Sequence, residues 1–202
     1  MADAPLYTPD ELAWYRKHYG DTEWMVHIQG PDDCITHRDE VATEPLTLKG
    51  ADDLALAVNK FTVSESENSE YAPHMHATVF HYGRPLALPE DVPAPPSFSD
   101  DELKFFKEEY GKTAWMVYVH GMDECWEKRE EDDQRFAEEG ARALIAKMAV
   151  WNREHVAEGL SSTPTTLFHF GEPVMDGPTP EDIEAALDIK AEDDRIEAER
   201  AR

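Results

Sequence analysis

The chain has 202 residues with 44 acidic and 19 basic side chains, and its formal net charge at neutral pH is −25. A surface with this charge repels nucleic acid and anionic membranes and favours basic partners, so we expect no direct nucleic-acid binding and no membrane binding. The charge alone leaves solubility or growth at high salt open as its explanation. No apolar run approaches the roughly 20 residues that cross a bilayer, and Met1–Pro5 lacks the basic and apolar regions of a secretory signal. We therefore expect a folded cytoplasmic protein.

The sequence contains one module twice. Residues 8–34 align with residues 99–125 at a constant offset of 91, and twelve of the 27 positions are identical. The match returns at an offset of 88, where Thr78–Gly83 aligns with Thr166–Gly171. Residues that both copies keep are expected to serve the shared fold, and residues that one copy keeps are optional or specialised.

Each copy opens with the signals of a helix. Thr8–Glu11 and Ser99–Glu102 are capping boxes, in which a hydroxyl and a glutamate satisfy free backbone donors reciprocally. Apolar residues follow at helical spacing. Gly20 and Gly111 are expected to end the two helices in the left-handed conformation.

A strand, a turn and a second strand follow the first helix. The first strand alternates two sets of side chains, and the set of Trp24, Val26 and Ile28 is expected to form the core face. The other set is Met25, His27 and Gln29. Gly30–Asp33 is typical of a turn, and a short strand is expected to start at Cys34 and, in the second copy, at Cys125.

A long helix and a closing strand complete each copy. The helix is expected to bury one apolar face in each copy, formed by Ala51, Leu54, Val58 and Phe61 in the first and by Ala137, Ala141, Leu144, Met148, Trp151 and His155 in the second. The closing strands are predicted at 76–82 and 165–170. The order α-β-β-α-β, present twice, predicts an α+β fold. Each module has a small antiparallel or mixed sheet that helices cover on one face.

The predicted domains are a first module at 1–85, a stiff proline-rich linker at 86–96, a second module at 97–173 and an acidic C-terminal helix at 174–202. The tail begins with Thr179–Ile183, which resembles the start of the first helix. Its few large apolar residues make it a marginal helix alone. We therefore expect a module or a partner to hold it, and self-association through this helix is one form of that contact.

The histidines and cysteines are weak candidates for chemistry. His74 and His76 could hold a metal ion on one strand face, but zinc needs three or four ligands, and a surface histidine pair is the preferred interpretation. His81 and His169 are the histidines that both copies keep, and a structural role in the strand is preferred to that of a catalytic base. Neither cysteine has the sequence context of a nucleophile. We expect no cofactor and no catalytic residue.

The acidic residues are the stronger candidates for function. Paired carboxylates lie on matched turns, and the runs Glu127–Asp133 and Glu181–Asp194 could imitate a phosphate backbone, although charge runs are usually solvated faces. The predicted partner-binding residues are Asp32, Asp33, Asp123, Glu124, Glu130, Glu131, Asp132 and Asp133, together with Ile183 and Leu187 of the tail.

One segment resembles a known class of proteins. The strand followed by Gly-Pro-Asp-Asp, at Trp24–Asp33, with a helix and a closing strand after it, resembles small proteins of unknown function from actinobacteria and their phages. The resemblance covers the core of the first module and, less well, the second, where Met122 replaces Pro31. It implies a phage or accessory origin and carries no catalytic residue.

These observations predict a non-catalytic, acidic protein–protein interaction protein. It would bind a basic partner as a nucleic-acid mimic or inhibitor, in the host cytoplasm if phage-encoded. The alternative is a virion decoration or assembly protein that matches a repeating protein lattice and docks through an apolar patch near the tail isoleucines or Trp14. The third and least supported alternative is an enzyme that uses a strand histidine.

Overall fold

The structure, a computed structural model, describes residues 7–38, 44–65, 75–129 and 133–200. The elements of the first copy are α1 (Pro9–Tyr19), β1 (Trp24–Gln29), β2 (Asp33–Ile35), α2 (Leu48–Glu65), β3 (His76–His81) and β4 (Arg84–Leu86). Those of the second copy are α3 (Asp100–Tyr110), β5 (Trp115–Val119), β6 (Glu124–Trp126), α4 (Glu138–Ala157), β7 (Thr165–His169) and β8 (Glu172–Val174). The C-terminal helix is α5 (Pro180–Arg200), and a 3₁₀ turn lies at Pro89–Asp91.

The fold is α+β and is a tandem duplication, as predicted. The two sheets have the orders β2-β1-β3-β4 and β6-β5-β7-β8, and every strand pair is antiparallel. Their registers match, because Met25 pairs with Phe80 in the first sheet and Met116 pairs with Phe168 in the second.

The chain forms two compact units. The first comprises Met1–Val92 and Arg153–Leu160, and the second comprises Pro93–Asn152 and Ser161–Arg202. Leu86, Ala87 and Leu88, at the start of the predicted linker, are buried. The predicted domain boundaries themselves remain predictions.

A fourth strand extends each sheet beyond the predicted order. Tyr82 and Gly83 have φ values of 45° and 72°, and positive φ at two central residues is typical of the type I′ turn of a tight hairpin. The turn leads from β3 into β4. Pro85 lies in β4 and Pro173 in β8, which edge strands tolerate because their outer N–H groups have no ladder partner.

Helices cover both faces of each sheet, so the prediction of one covered face was wrong. On one face Tyr15 of α1 packs with Met25 and Phe80. On the other face Val26 and Val79 are fully buried next to α2. Met25 and Phe80 make the face towards α1 apolar as well, which leaves it unsuited to solvent.

The second unit repeats this three-layer packing. Phe106 of α3 packs with Met116 and Phe168. Ala141 and Ile145 of α4 pack on the opposite face.

The glycines at the ends of α1 and α3 do not adopt the predicted left-handed conformation. Gly20 has a φ of −64° and Gly111 a φ of −63°, both in the right-handed region. Glycine is needed at Gly20 for space, since an added Cβ would collide with the carbonyl oxygen of Arg16.

The buried faces of the long helices differ from the prediction. Ala51 and Ala55 are fully buried, whereas Phe61 is 54% exposed. In α4 the buried residues include Ile145 and Val150, and Trp151 is 37% exposed. Small alanines allow the helices to approach the sheets closely. Apolar periodicity does not reveal that the alanine side of the helix is the buried one.

In the part of the chain that the structure describes, no helix is both long and apolar enough to cross a membrane.

Candidate interaction surfaces

A buried histidine links the start of the first unit to its acidic turn. His27 on β1 is 3% exposed, its Nδ1 lies 2.9 Å from the Tyr7 hydroxyl, and its Nε2 lies 3.1 Å from Oδ1 of Asp32. Because a carboxylate only accepts, Nε2–H donates to Asp32, and Nδ1 shares a hydrogen bond with the Tyr7 hydroxyl. Burial raises the pKa of Tyr7 to about 12. These contacts hold the turn, in which Asp32 adopts a φ of 60°.

The second unit fixes the same turn with different chemistry. Tyr118 replaces His27, and its hydroxyl donates to Oδ1 of Asp123 at 2.7 Å. The hydrogen bond to Asp123 is the larger cause, and burial the next, of a rise in the pKa of Tyr118 to about 12. The shared feature is therefore an aspartate at positive φ that accepts a bond from the strand, which is a structural role.

The two histidines that both copies keep lie against tryptophans. His81 packs on Trp24 with ring centroids 4.3 Å apart, and His169 stacks on Trp115 at 4.2 Å. Each pair joins neighbouring strands at the same register position. These contacts give both histidines a place in the sheet packing.

The matched cysteines are free thiols, each next to a tyrosine. Cys34 and Tyr19 pack on the aromatic cluster of the first unit, and Cys125 and Tyr110 pack on that of the second. Burial raises the pKa of both thiols. A raised pKa lowers the thiolate fraction, and with it the nucleophilicity of the thiol.

The metal candidate rests on one described residue. Among residues 7–38, 44–65, 75–129 and 133–200, no group of three or more His, Cys, Asp or Glu side chains is placed to hold a metal ion. His74 lies outside the described residues. Burial lowers the pKa of His76, against the opposing effect of Asp91.

The predicted acidic turns are exposed, but their carboxylates have local roles. Asp32 and Asp123 accept the bonds described above, and Glu124 accepts a bond from the Trp126 indole at 2.9 Å. Asp33 is exposed. Glu130, Glu131 and Asp132 lie outside the described residues. Asp133 adopts a φ of 55° and pairs with Lys128 at 2.8 Å.

The tail helix α5 belongs to the second unit and is held there by apolar contacts. Leu187, one of the predicted partner-binding residues, is 1% exposed, and Ala186 is 5% exposed, so the folded chain itself covers both side chains. Ile183 is half-buried, and Ile189 is 49% exposed. A capping box begins the helix, in which the Thr179 N–H donates to Oδ2 of Asp182 at 2.9 Å.

The outward side of α5 carries a row of carboxylates. At 100° per residue, Glu181, Asp188 and Glu192 share one side of the helix, and all three are exposed. The half-buried Glu184 lies between the first two. Arg195 pairs with Glu192 and Glu199, which reduces the charge at the far end.

An apolar groove lies on the second unit between β6 and α4. Its volume is about 960 Å³, and its lining includes Trp126, Phe136 and Leu144, with Lys128 and Lys147 among its charged residues. A smaller groove of about 530 Å³ separates α4 from α5.

The first helix of each copy exposes one aromatic ring at a matched position. Trp14 is 48% exposed and Phe105 is 53% exposed. The offset between them is 91, the offset of the repeat. Isolated exposed apolar residues are common, but two at one position of two diverged copies indicate a shared surface.

No family model, no curated protein and no solved structure matches this chain. The resemblance of Trp24–Asp33 to small phage and actinobacterial proteins therefore remains a prediction.

Sequence analysis missed the bond between His27 and Tyr7 and the groove lined by Trp126. Both join residues that are distant in sequence. A signal existed for the exposed pair, because Trp14 and Phe105 lie on the polar side of their helices and are both aromatic.

Proposed function

We propose that the chain is a non-catalytic, acidic interaction protein that binds a basic partner. The observation that carries this proposal is the acidic outward side of a helix that its own unit holds in place. Helix α5 contains nine acidic and three basic residues, and Leu187 fixes it to the second unit. A helix whose backbone is already held loses little backbone freedom on binding, which favours association of its carboxylates with a basic surface.

A nucleic-acid mimic or inhibitor is the specific form of this function that the α5 row supports. Glu184, Asp188 and Glu192 follow one another every four residues, which is about 6 Å of helix axis. One DNA strand carries a charge about every 3.4 Å, so the row has roughly half that density. A groove that binds DNA phosphates would meet a similar, weaker pattern of charge.

The acidic residues of the second unit also lie on α3, which packs on the other face of the sheet from α4. Asp100, Asp101 and Glu102 form the first turn of α3. These carboxylates would add to the attraction of a basic partner that the α5 row provides. A phage origin, as implied by the Trp24–Asp33 resemblance, would suit an inhibitor of a host protein.

The test is capture from a nuclease-treated actinobacterial lysate with the immobilised full chain, at low and at high salt, identified by mass spectrometry. We expect a basic nucleic-acid-binding protein that high salt releases and that duplex DNA displaces. A variant with Glu181→Gln, Asp188→Asn and Glu192→Gln should capture less of it.

The matched control neutralises three exposed acids of the first unit, Asp21→Asn, Glu44→Gln and Glu90→Gln. An equal loss of capture in both variants would mean that net charge alone, and not the α5 row, is responsible for the capture. Capture of no basic protein at low salt would contradict the proposal.

The second candidate function is an assembly or virion accessory role, and the groove lined by Trp126, Phe136 and Leu144 favours it. Apolar grooves of this size dock helices or loops of partners. Capture that survives high salt and is lost in Trp126→Ala would support this role over the first.

A further inference from the structure

The matched aromatic rings of α1 and α3 each lie beside an aspartate one turn earlier in the helix. Asp10 precedes Trp14 by four residues, and Asp101 precedes Phe105 by four residues. Side chains at this spacing lie next to each other on a helix surface. All four side chains are exposed. An exposed carboxylate beside an exposed ring is therefore present in both copies, although the ring is a tryptophan in one and a phenylalanine in the other.

The surface around Phe105 is the more acidic of the two. Glu109 follows Phe105 by one helical turn, and Glu108 lies beside it. The ring is held from below, because it meets the rings of Phe106 and Tyr110 edge-on with centroids 5.7 Å and 6.4 Å apart. Phe106 is buried, so Phe105 stands on a rigid aromatic base with its outer side towards solvent.

In the first unit the chain places its own imidazole on the corresponding ring. His18 replaces the glutamate at the matching position, and it stacks on Trp14 with ring centroids 4.3 Å apart. Its Nδ1 lies 2.9 Å from the Trp14 carbonyl oxygen. This stack shows that the outward ring face accepts a planar nitrogen group. It also leaves less of that face for a partner than Phe105 has.

We propose that these two helix faces are a duplicated docking surface for arginine side chains of a basic partner, with Phe105 as the stronger site. A guanidinium group stacks on an aromatic face and pairs with a carboxylate at the same time. Asp101 and Glu109 supply carboxylates on either side of the Phe105 ring, and Asp10 supplies one beside Trp14. The inference rests on the proposed function, since it names the partner chemistry and the surface.

The test uses the full chain and a ten-residue peptide of alternating glycine and arginine as the probe. Backbone amide shifts locate the bound peptide, and calorimetry gives its affinity. We expect the largest shifts in α3, smaller shifts in α1, and weaker binding of the matching lysine peptide, because lysine stacks less well on rings.

The deciding variants are Phe105→Leu, which keeps an apolar side chain without a ring, and Asp101→Asn. Phe105→Leu should weaken binding about two- to five-fold, the range of an exposed cation–π contact. Phe105→Trp should strengthen it, because tryptophan is the best ring partner. The matched controls are Phe170→Leu, at an exposed phenylalanine of the same unit, and Asp176→Asn, at an exposed aspartate. Unchanged thermal melting confirms that each variant folds.

Peptide binding that shifts α5 instead of α3, or that Phe105→Leu and Asp101→Asn leave unchanged, would overturn this inference while the proposed function stands. No peptide binding to the wild-type chain at low salt would overturn both.

Discussion

Gly171 occupies a position that only glycine fits, and its counterpart Gly83 shows the same requirement. Gly171 has a φ of 73°, and an added Cβ would lie 2.9 Å from the Cα of Lys107 in α3. The glycine that closes each hairpin therefore also lets the hairpin touch the first helix. Its identity in both copies reflects this packing, and the sequence alone indicated only the turn.

The first prediction is that Gly171→Ala lowers the free energy of unfolding by about 2–3 kcal/mol, from backbone strain and displacement of α3. Gly177→Ala is the matched control, because an added Cβ there meets no atom within 4 Å and its φ is not positive. Urea unfolding of the two variants measures the difference. If Gly171→Ala were as stable as Gly177→Ala, α3 would be able to move away from the added Cβ without a loss of folding free energy.

Asp32 and Asp123 illustrate what could be predicted at the residue scale. Their identity and their place after a glycine indicated a turn, which the structure has. Their bonding partners, His27 and Tyr118, could not be predicted, because the two copies use different side chains that reach the aspartate only once the strand and turn have folded.

At the scale of elements, the helix starts were the most predictable features. The capping boxes at Thr8 and Ser99 are present with both reciprocal bonds. β4 and β8 were not predicted, since each is three residues long and contains a proline. The buried faces of α2 and α4 were misjudged, because alanines give little apolar signal although they pack most closely.

The second prediction concerns the acid side of the pH–stability profile. Hydrogen bonds from Thr8, Ser99 and Thr179 lower the pKa of Glu11, Glu102 and Asp182. Each group therefore adds stability above its unfolded pKa, and this stability is lost as the pH falls through the lower folded pKa. Melting temperature should fall from about pH 5 to about pH 3.

The matched variant for that measurement is Glu11→Gln with Glu102→Gln, which keeps a hydrogen-bonding oxygen without a charge to titrate. Its melting temperature should fall less over the same pH range. An identical fall in both proteins would assign the acid sensitivity to other carboxylates.

The third prediction concerns the attachment of α5 to the second unit. Leu187→Ala should destabilise this unit by about 2–4 kcal/mol, because it removes a fully buried leucine and leaves a cavity. Ile189→Ala should have a smaller effect, since Ile189 is half exposed. Hydrogen exchange of the β5 and β7 amides reports on the second unit alone. Protection that Leu187→Ala leaves unchanged would mean that α5 contributes nothing to the stability of that unit.

At the scale of the whole molecule, the least predictable feature was which chain segments form the first unit. Arg153–Leu160 belongs to it, although the repeat assigns these residues to the second copy. Arg153 is 5% exposed, and its guanidinium pairs with Asp52 at 2.7 Å and donates to the Ala87 carbonyl oxygen at 2.7 Å. Burial raises the pKa of Asp52 although Arg153 opposes the rise. Periodicity contains no information on such a distant pair.

The fourth prediction follows from this ion pair. Arg153→Met should destabilise the first unit by about 2–3 kcal/mol, because it leaves the partly buried Asp52 carboxylate without its partner. Adding Asp52→Leu should restore part of the loss, since removing both charges also removes the cost of burying one. Hydrogen exchange of the β1 and β3 amides measures both variants. If Arg153→Met were as stable as the wild-type chain, water would be solvating the Asp52 carboxylate in place of the Arg153 guanidinium.

The proposed function requires that the acidic surface of helices held by the fold binds a basic partner. The most direct test is calorimetric titration of the full chain with the alternating glycine–arginine peptide between about 50 mM and about 500 mM NaCl. We expect binding at low salt that weakens at least about tenfold over this range, because the attraction between exposed charges is screened. Absent binding at the lowest salt, or an affinity independent of salt, would contradict it.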